Sequence, residues 1–174
     1  MEQKARKFTI GELEFRSLSA TDTLYLSSFL LILLANILFF KELPKYRLTT
    51  LVFLSFLPGI LTISTPFGLR FRNVWFSLIW LLLVLVFAFT NNSSLVYFPL
   101  ASFLLYHIVR MAFWTNYNRE FIPFEIARGH YYRYRSQTEG KAGSQKDKNY
   151  MKILFWIGFI IFLCCLFGAV GAKI

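Results

Sequence analysis

The side chains best placed to do chemistry lie close together on one apolar stretch: Tyr106, His107, Arg110 and Trp114. In a helix, positions 106, 110 and 114 share one face. Arg110 falls about one turn from the predicted end of that helix, where its guanidinium can snorkel to lipid headgroups. His107 falls roughly 9 Å inside the same end at 1.5 Å per residue. An ionisable group at such depth in a membrane is a functional-site candidate by default. It would serve as a proton relay, a haem or metal ligand, or a hydrogen-bond partner for a quinone. The alternative is a neutral imidazole bonded to a neighbouring helix or subunit. A metal or haem needs further ligands, and the only other histidine, His130, falls outside the apolar stretches. Neither a metal site nor a cofactor is therefore expected.

Other polar groups within the apolar stretches are few. Asn36 is suited to hydrogen bonding across a helix interface. Pro58 and Gly59, with Ser55, Thr62 and Ser64 nearby, could break a helix as in transporter sites, but no second segment carries a matching break. Ion- and proton-coupled carriers place Asp or Glu within their spans, and none of the apolar stretches holds either. Phosphate-cradling, nucleophile-elbow and zinc-hydrolase motifs are also missing, so no enzymatic activity is expected. Glu120 and Glu125 fall between Arg119 and Arg128, where they read as charge balance.

Two further patterns point to contacts rather than catalysis. Residues 117–135 interleave Phe121, Ile122, Phe124, Tyr131, Tyr132 and Tyr134 with Arg119, Arg128, Arg133 and Arg135. Aromatics at a bilayer interface with arginines on headgroup phosphates would produce that pattern, as would docking onto a partner. Near the C-terminus, Cys164, Gly168 and Ala172 repeat every four residues, with Cys165 and Ala169 beside them. This small-residue face lets another helix approach closely, in this chain or another. Adjacent cysteines on one helix diverge, so a mutual disulfide is not expected.

The elements that must carry these residues follow from composition. The 174 residues are 56% hydrophobic and only 16% charged, with mean hydropathy +0.52. Soluble domains carry about 25% charged residues. The charges gather in the first sixteen residues and between Arg110 and Lys152, as a bilayer demands when each central Arg or Lys costs about 2.5–3.5 kcal/mol. Five segments approach the roughly 20 residues that cross about 30 Å of hydrocarbon: 23–40, 48–64, 74–90, 95–113 and 151–172. None alternates like a barrel strand, so the expected fold class is all-α, a polytopic bundle of five transmembrane helices. Four is the alternative count, because Pro58–Gly59 could turn 48–64 back as a re-entrant hairpin.

The remaining parts are small. Residues 1–22 form a surface segment, too irregular over 7–17 to assign as helix or strand, with Ser19, Thr21, Asp22 and Thr23 able to cap the first helix. Residues 23–114 form a four-helix region, 115–150 a basic aromatic segment with a flexible linker over 136–149, and 151–174 a last helix. The first apolar run is longer than a signal-peptide core of roughly 7–15 residues, so it reads as a retained span. Net charge is +10, from 19 Lys and Arg against 9 Asp and Glu. Placing the N-terminus in the cytoplasm puts fifteen of the 19 basic residues inside, in keeping with the positive-inside bias. The basic excess thus reads as orientation, with no nucleic-acid partner. Lys41, Lys45 and Arg47, in the first outside loop, fit that bias poorly.

The leading expectation is a non-catalytic accessory subunit of a larger membrane complex, contacting membrane lipids and other subunits, in a bacterial inner membrane. A free-standing small transporter or channel, and a lipid-binding or lipid-modifying protein, are the competing classes.

Overall fold

The computed structural model describes residues 13–38, 44–125 and 143–171. Among these the protein is all-helical, with α1 (Ala20–Leu38), α2 (Pro44–Ser64), α3 (Val74–Thr90), α4 (Tyr97–Tyr117) and α5 (Gln145–Gly171). Two 3-10 helices, Pro66–Arg72 and Ser94–Val96, lead into α3 and α4. Arg128, His130, Arg133, Arg135 and Ala172 lie outside the described residues.

The helix ends follow local chemistry. At the start of α1, Ser19 Oγ accepts from Asp22 N–H at 3.2 Å, and Asp22 Oδ2 accepts from Ser19 N–H at 3.1 Å. This reciprocal capping box satisfies two donors that the first turn leaves without partners. The start of α5 repeats it: Ser144 N–H donates to Asp147 Oδ2 at 2.7 Å and Ser144 Oγ faces Asp147 N–H at 3.5 Å. Residues 145–149, expected in the flexible linker, are therefore the first turn of α5. Asn73 Oδ1 caps α3 by accepting from Trp75 N–H at 3.1 Å. The 13–19 stretch lies beside it, with Glu14 bridged to Asn73 through backbone hydrogen bonds to Arg72 and Val74.

Three of these helices are long and apolar enough to cross a bilayer: α1, Ser94–Tyr117 (α4 with its 3-10 lead-in) and Gln145–Ala169 of α5. The outward sides carry large apolar groups, with Leu31 66%, Phe89 85% and Phe167 68% exposed, compatible with lipid contact in an integral membrane location. The 17 residues of α3 extend about 26 Å at 1.5 Å each, short of a hydrocarbon core of about 30 Å. α2 makes a fourth path only together with the 3-10 helix after it, which bends away at 89°.

Pro58 and Gly59 do not turn the chain back. Both lie inside α2, which continues to Ser64, and the break falls at Thr65. There Thr65 Oγ1 donates to Leu61 O at 2.6 Å and accepts from Phe67 N–H at 3.2 Å, so one hydroxyl ends α2 and caps the 3-10 helix. The absence of a side chain at Gly59 serves packing instead. A Cβ there would sit 2.2 Å from Cε1 of the fully buried Phe98 on α4. Gly68 likewise admits the Tyr106 ring. The bend at Thr65 also carries Phe71 into the core, where ring centroids of Phe103, Phe67, Tyr106 and Phe76 lie 4.9, 5.6, 5.7 and 5.8 Å away.

Replacement of Gly59 by Ala is expected to force the Phe98 ring aside and destabilise the fold by about 1–3 kcal/mol, the usual penalty for overpacking a tight core. A lowered thermal unfolding midpoint in detergent would register it, whereas an unchanged midpoint would mean that α2 and α4 are not held this closely.

Candidate functional site

Among the described residues, the charged side chains that leave water do so around the start of α1, the 3-10 helix Pro66–Arg72, the end of α4 and the start of α5. Each is met there by an opposite charge. α4 ends at Asn118, whose left-handed backbone (φ 50°) is one that Asn adopts more readily than most residues. That turn brings Glu120 back against its own helix. Arg110 Nε donates to Glu120 Oε2 at 3.0 Å and Arg110 Nη2 to Glu120 Oε1 at 2.6 Å, a two-pronged contact. Arg72 adds its Nε at 3.9 Å from Glu120 Oε2, and its Nη2 donates to Phe121 O at 3.0 Å. The side chains of Arg110 and Glu120 are 5% and 8% exposed, so water screens neither. Buried charges of this kind are tolerable only with full pairing and good geometry.

Two further pairs use the acids of the capping boxes. Arg70 pairs with Asp22, its Nη1 also donating to Thr21 Oγ1 at 3.2 Å, while its guanidinium lies 4.6 Å over the Tyr25 ring. Arg119 straddles Asp147, with Nη1 on Oδ1 at 3.0 Å and Nη2 on Oδ2 at 2.5 Å. Asp147 Oδ1 also accepts from Ile122 N–H at 3.0 Å. One carboxylate thus fixes the N-terminus of α5 and holds the segment after α4 against it. Phe121 and Phe124 follow into the core, fully buried.

The residues singled out by sequence divide accordingly. Arg110, expected to reach lipid headgroups or a partner, is instead buried on Glu120; Arg119 reaches Asp147. Glu120, expected as simple charge balance, is the centre of the cluster. Trp114 is half-buried. His107 sits among aromatic rings, with centroids of Phe103 at 4.5 Å and of Phe71 and Tyr106 at 5.9 Å each. Its Nε2 is buried without a hydrogen-bond partner among the described residues. Asn36 is buried on α1, and its Nδ2 likewise finds no partner there. On α5, Cys164 is exposed, while Gly168 packs against Ser94, whose hydroxyl donates to Cys165 O at 2.7 Å. The small-residue face is thus engaged, in part, by the lead-in to α4 in the same chain.

Among the described residues no three His, Cys, Asp or Glu side chains gather as a metal site would require. Pairings across 48 residues for Arg70–Asp22 and 28 for Arg119–Asp147 have no local signature. Only the Ser-x-x-Asp capping patterns, at Ser19 and Ser144, were open to a sequence reading. Three salt-bridged carboxylates hold helix ends together.

Glu120→Gln keeps the shape of the side chain but leaves Arg110 without its counter-charge. It is expected to destabilise the fold by about 3–5 kcal/mol, with little dependence on salt because the pair is screened from solvent. Combining Glu120→Leu with Arg110→Met and Arg72→Met, which removes both cations that face this carboxylate, should recover most of that loss. Equal melting of wild type and Glu120→Gln would refute the structural role of the pair.

Comparison of the chain with protein-family models, curated proteins and solved structures finds no match, so the functional reading rests on this geometry.

Proposed function

We propose that the protein is a non-catalytic subunit of a larger integral membrane assembly, a helical scaffold that packs against neighbouring subunits and lipids. The observation that carries this reading is the use made of the buried carboxylates. Asp22, Glu120 and Asp147 are each tied to an arginine and to a helix end. Groups that elsewhere bind ions or relay protons here hold the elements in register. α5 supports the same reading, because it presents Ile153, Trp156, Ile157, Ile160 and Phe167 outward. Ile153, Ile157, Ile160, Cys164 and Phe167 alternate spacings of four and three, the seam spacing of packed helices. In this reading all five helices traverse the bilayer, α2 through its bent continuation, in an inner membrane with the N-terminus cytoplasmic.

Mild-detergent extraction from the native membrane is expected to yield the protein with stoichiometric partners through size exclusion. A lone monomer or homo-oligomer would reject the subunit role.

The topology is tested separately with Lys45→Cys in a Cys164→Ser, Cys165→Ser background. An impermeant thiol reagent is expected to label this position from outside intact cells. Protection there would remove α2 as a full crossing.

A further inference from the structure

We propose that the hairpin of α3 and α4 is fitted to a hydrocarbon core no thicker than about 27 Å, so that its outward face takes phospholipids with short acyl chains. α3 packs against α1 and α4 and turns Trp75, Leu78, Leu82, Val86 and Phe89 outward. The groups that end this face are polar and short. Asn73 closes it at the start, where its side chain accepts from Trp75 N–H at 3.1 Å and donates to Arg16 O at 3.2 Å. The bridge through Glu14 holds the partly exposed Glu14–Arg16 ion pair near that level. At the other end stand the exposed Thr90 and Asn92, on either side of the buried Asn91. Asn73 and Asn91 are eighteen residues apart, about 27 Å of helix at 1.5 Å each.

α4 gives the same length independently. Its outward face begins at Tyr97, continues through Leu104, Ile108 and Met111 and ends at the exposed Thr115 and Asn116. Tyr97 and Thr115 are again eighteen residues apart, about 27 Å. Each helix opens with an exposed amphipathic aromatic, Trp75 or Tyr97, of the kind that settles at headgroup level. In an antiparallel hairpin these two rings mark opposite interfaces, which makes lipid the occupant of the apolar face between them. Neither length can be stretched. Tilt only reduces the thickness that a helix crosses, and reaching back to headgroups takes a long Lys or Arg side chain, which Asn and Thr are not. A core of about 30 Å would have to thin around this face or take in its polar ends. α5 sets no such limit, since an over-long helix adapts by tilting. The match rests on α3 and α4 crossing the bilayer, as in the reading above, and is independent of any partner subunit.

The test uses the full chain in vesicles that mix mid-chain-brominated dioleoyl phosphatidylcholine with a competing phosphatidylcholine bearing myristoleoyl, palmitoleoyl, oleoyl or erucoyl chains. Leu82→Trp sets a fluorescent reporter in the middle of the exposed α3 face, and Trp114→Phe with Trp156→Phe removes reporters elsewhere. Relief of bromine quenching then gives the relative affinity of this face for each lipid. The expected result is tighter binding of palmitoleoyl than of oleoyl chains, with erucoyl chains weaker by about twofold or more. Phe89→Asn alters a residue that is 85% exposed, so it should fold, and it shortens the α3 face to about 24 Å. It should shift affinity from palmitoleoyl towards myristoleoyl chains. Oleoyl or erucoyl chains bound as tightly as palmitoleoyl, or an unchanged preference in Phe89→Asn, would each overturn the proposal. The crossing is checked with Asn92→Cys in the Cys164→Ser, Cys165→Ser background, which an impermeant thiol reagent should label from outside intact cells. Protection there would overturn the crossing and the thickness match together, whereas labelling without a short-chain preference would overturn the thickness match alone. A short-chain preference in a partnerless protein would fail the subunit role alone.

Discussion

The structure depends on the pairing of charge that has been taken out of water. Arg110 and Glu120 lie close enough to share two short hydrogen bonds and are too buried for solvent to help either. An isolated charge in that position would cost several kcal/mol. Arg72 joins the same carboxylate from the 3-10 helix. The end of α4, the segment after it and the lead-in to α3 are thereby fixed to one another. Asp22 and Asp147 extend the scheme to α1 and α5, each serving at once as a helix cap and as an arginine partner.

Away from those pairs, the fold relies on close approach and ring packing. Phe71 is fully buried because the turn at Thr65 directs the 3-10 helix into the core rather than along the axis of α2. Gly59 and Gly68 remove the side chains that would otherwise keep the rings of Phe98 and Tyr106 at a distance. In a bilayer, helix association draws little on hydrophobic burial, since lipid is as apolar as the side chains. Tight contacts of this kind, with the salt bridges, are what remain to specify one arrangement.

The same bend explains why the outer surface is not uniform. It opens a polar chamber at the cap of α1 and an apolar trough beneath it, whereas most of α5 presents only bulky apolar groups.

The amino-acid sequence by itself determined the all-helical class and the approximate position of each helix, because hydropathy and helix length are properties of contiguous residues. Segments expected at 74–90 and 48–64 coincide with α3 and with all but the first turn of α2. The cap at Ser19 is equally local, whereas the cap at Ser144 falls in the stretch expected as flexible linker. The tertiary structure alone decided that Pro58–Gly59 is a packing point and not a reversal, and that the chain breaks at Thr65. It also decided that Glu120 neutralises Arg110 and Arg72 rather than balancing its sequence neighbours. The packing of Gly59 on Phe98 and the pairing of Glu120 turn on distances between residues 10 to 48 apart, and a charge in an apolar setting takes its partner from whatever the fold brings within reach.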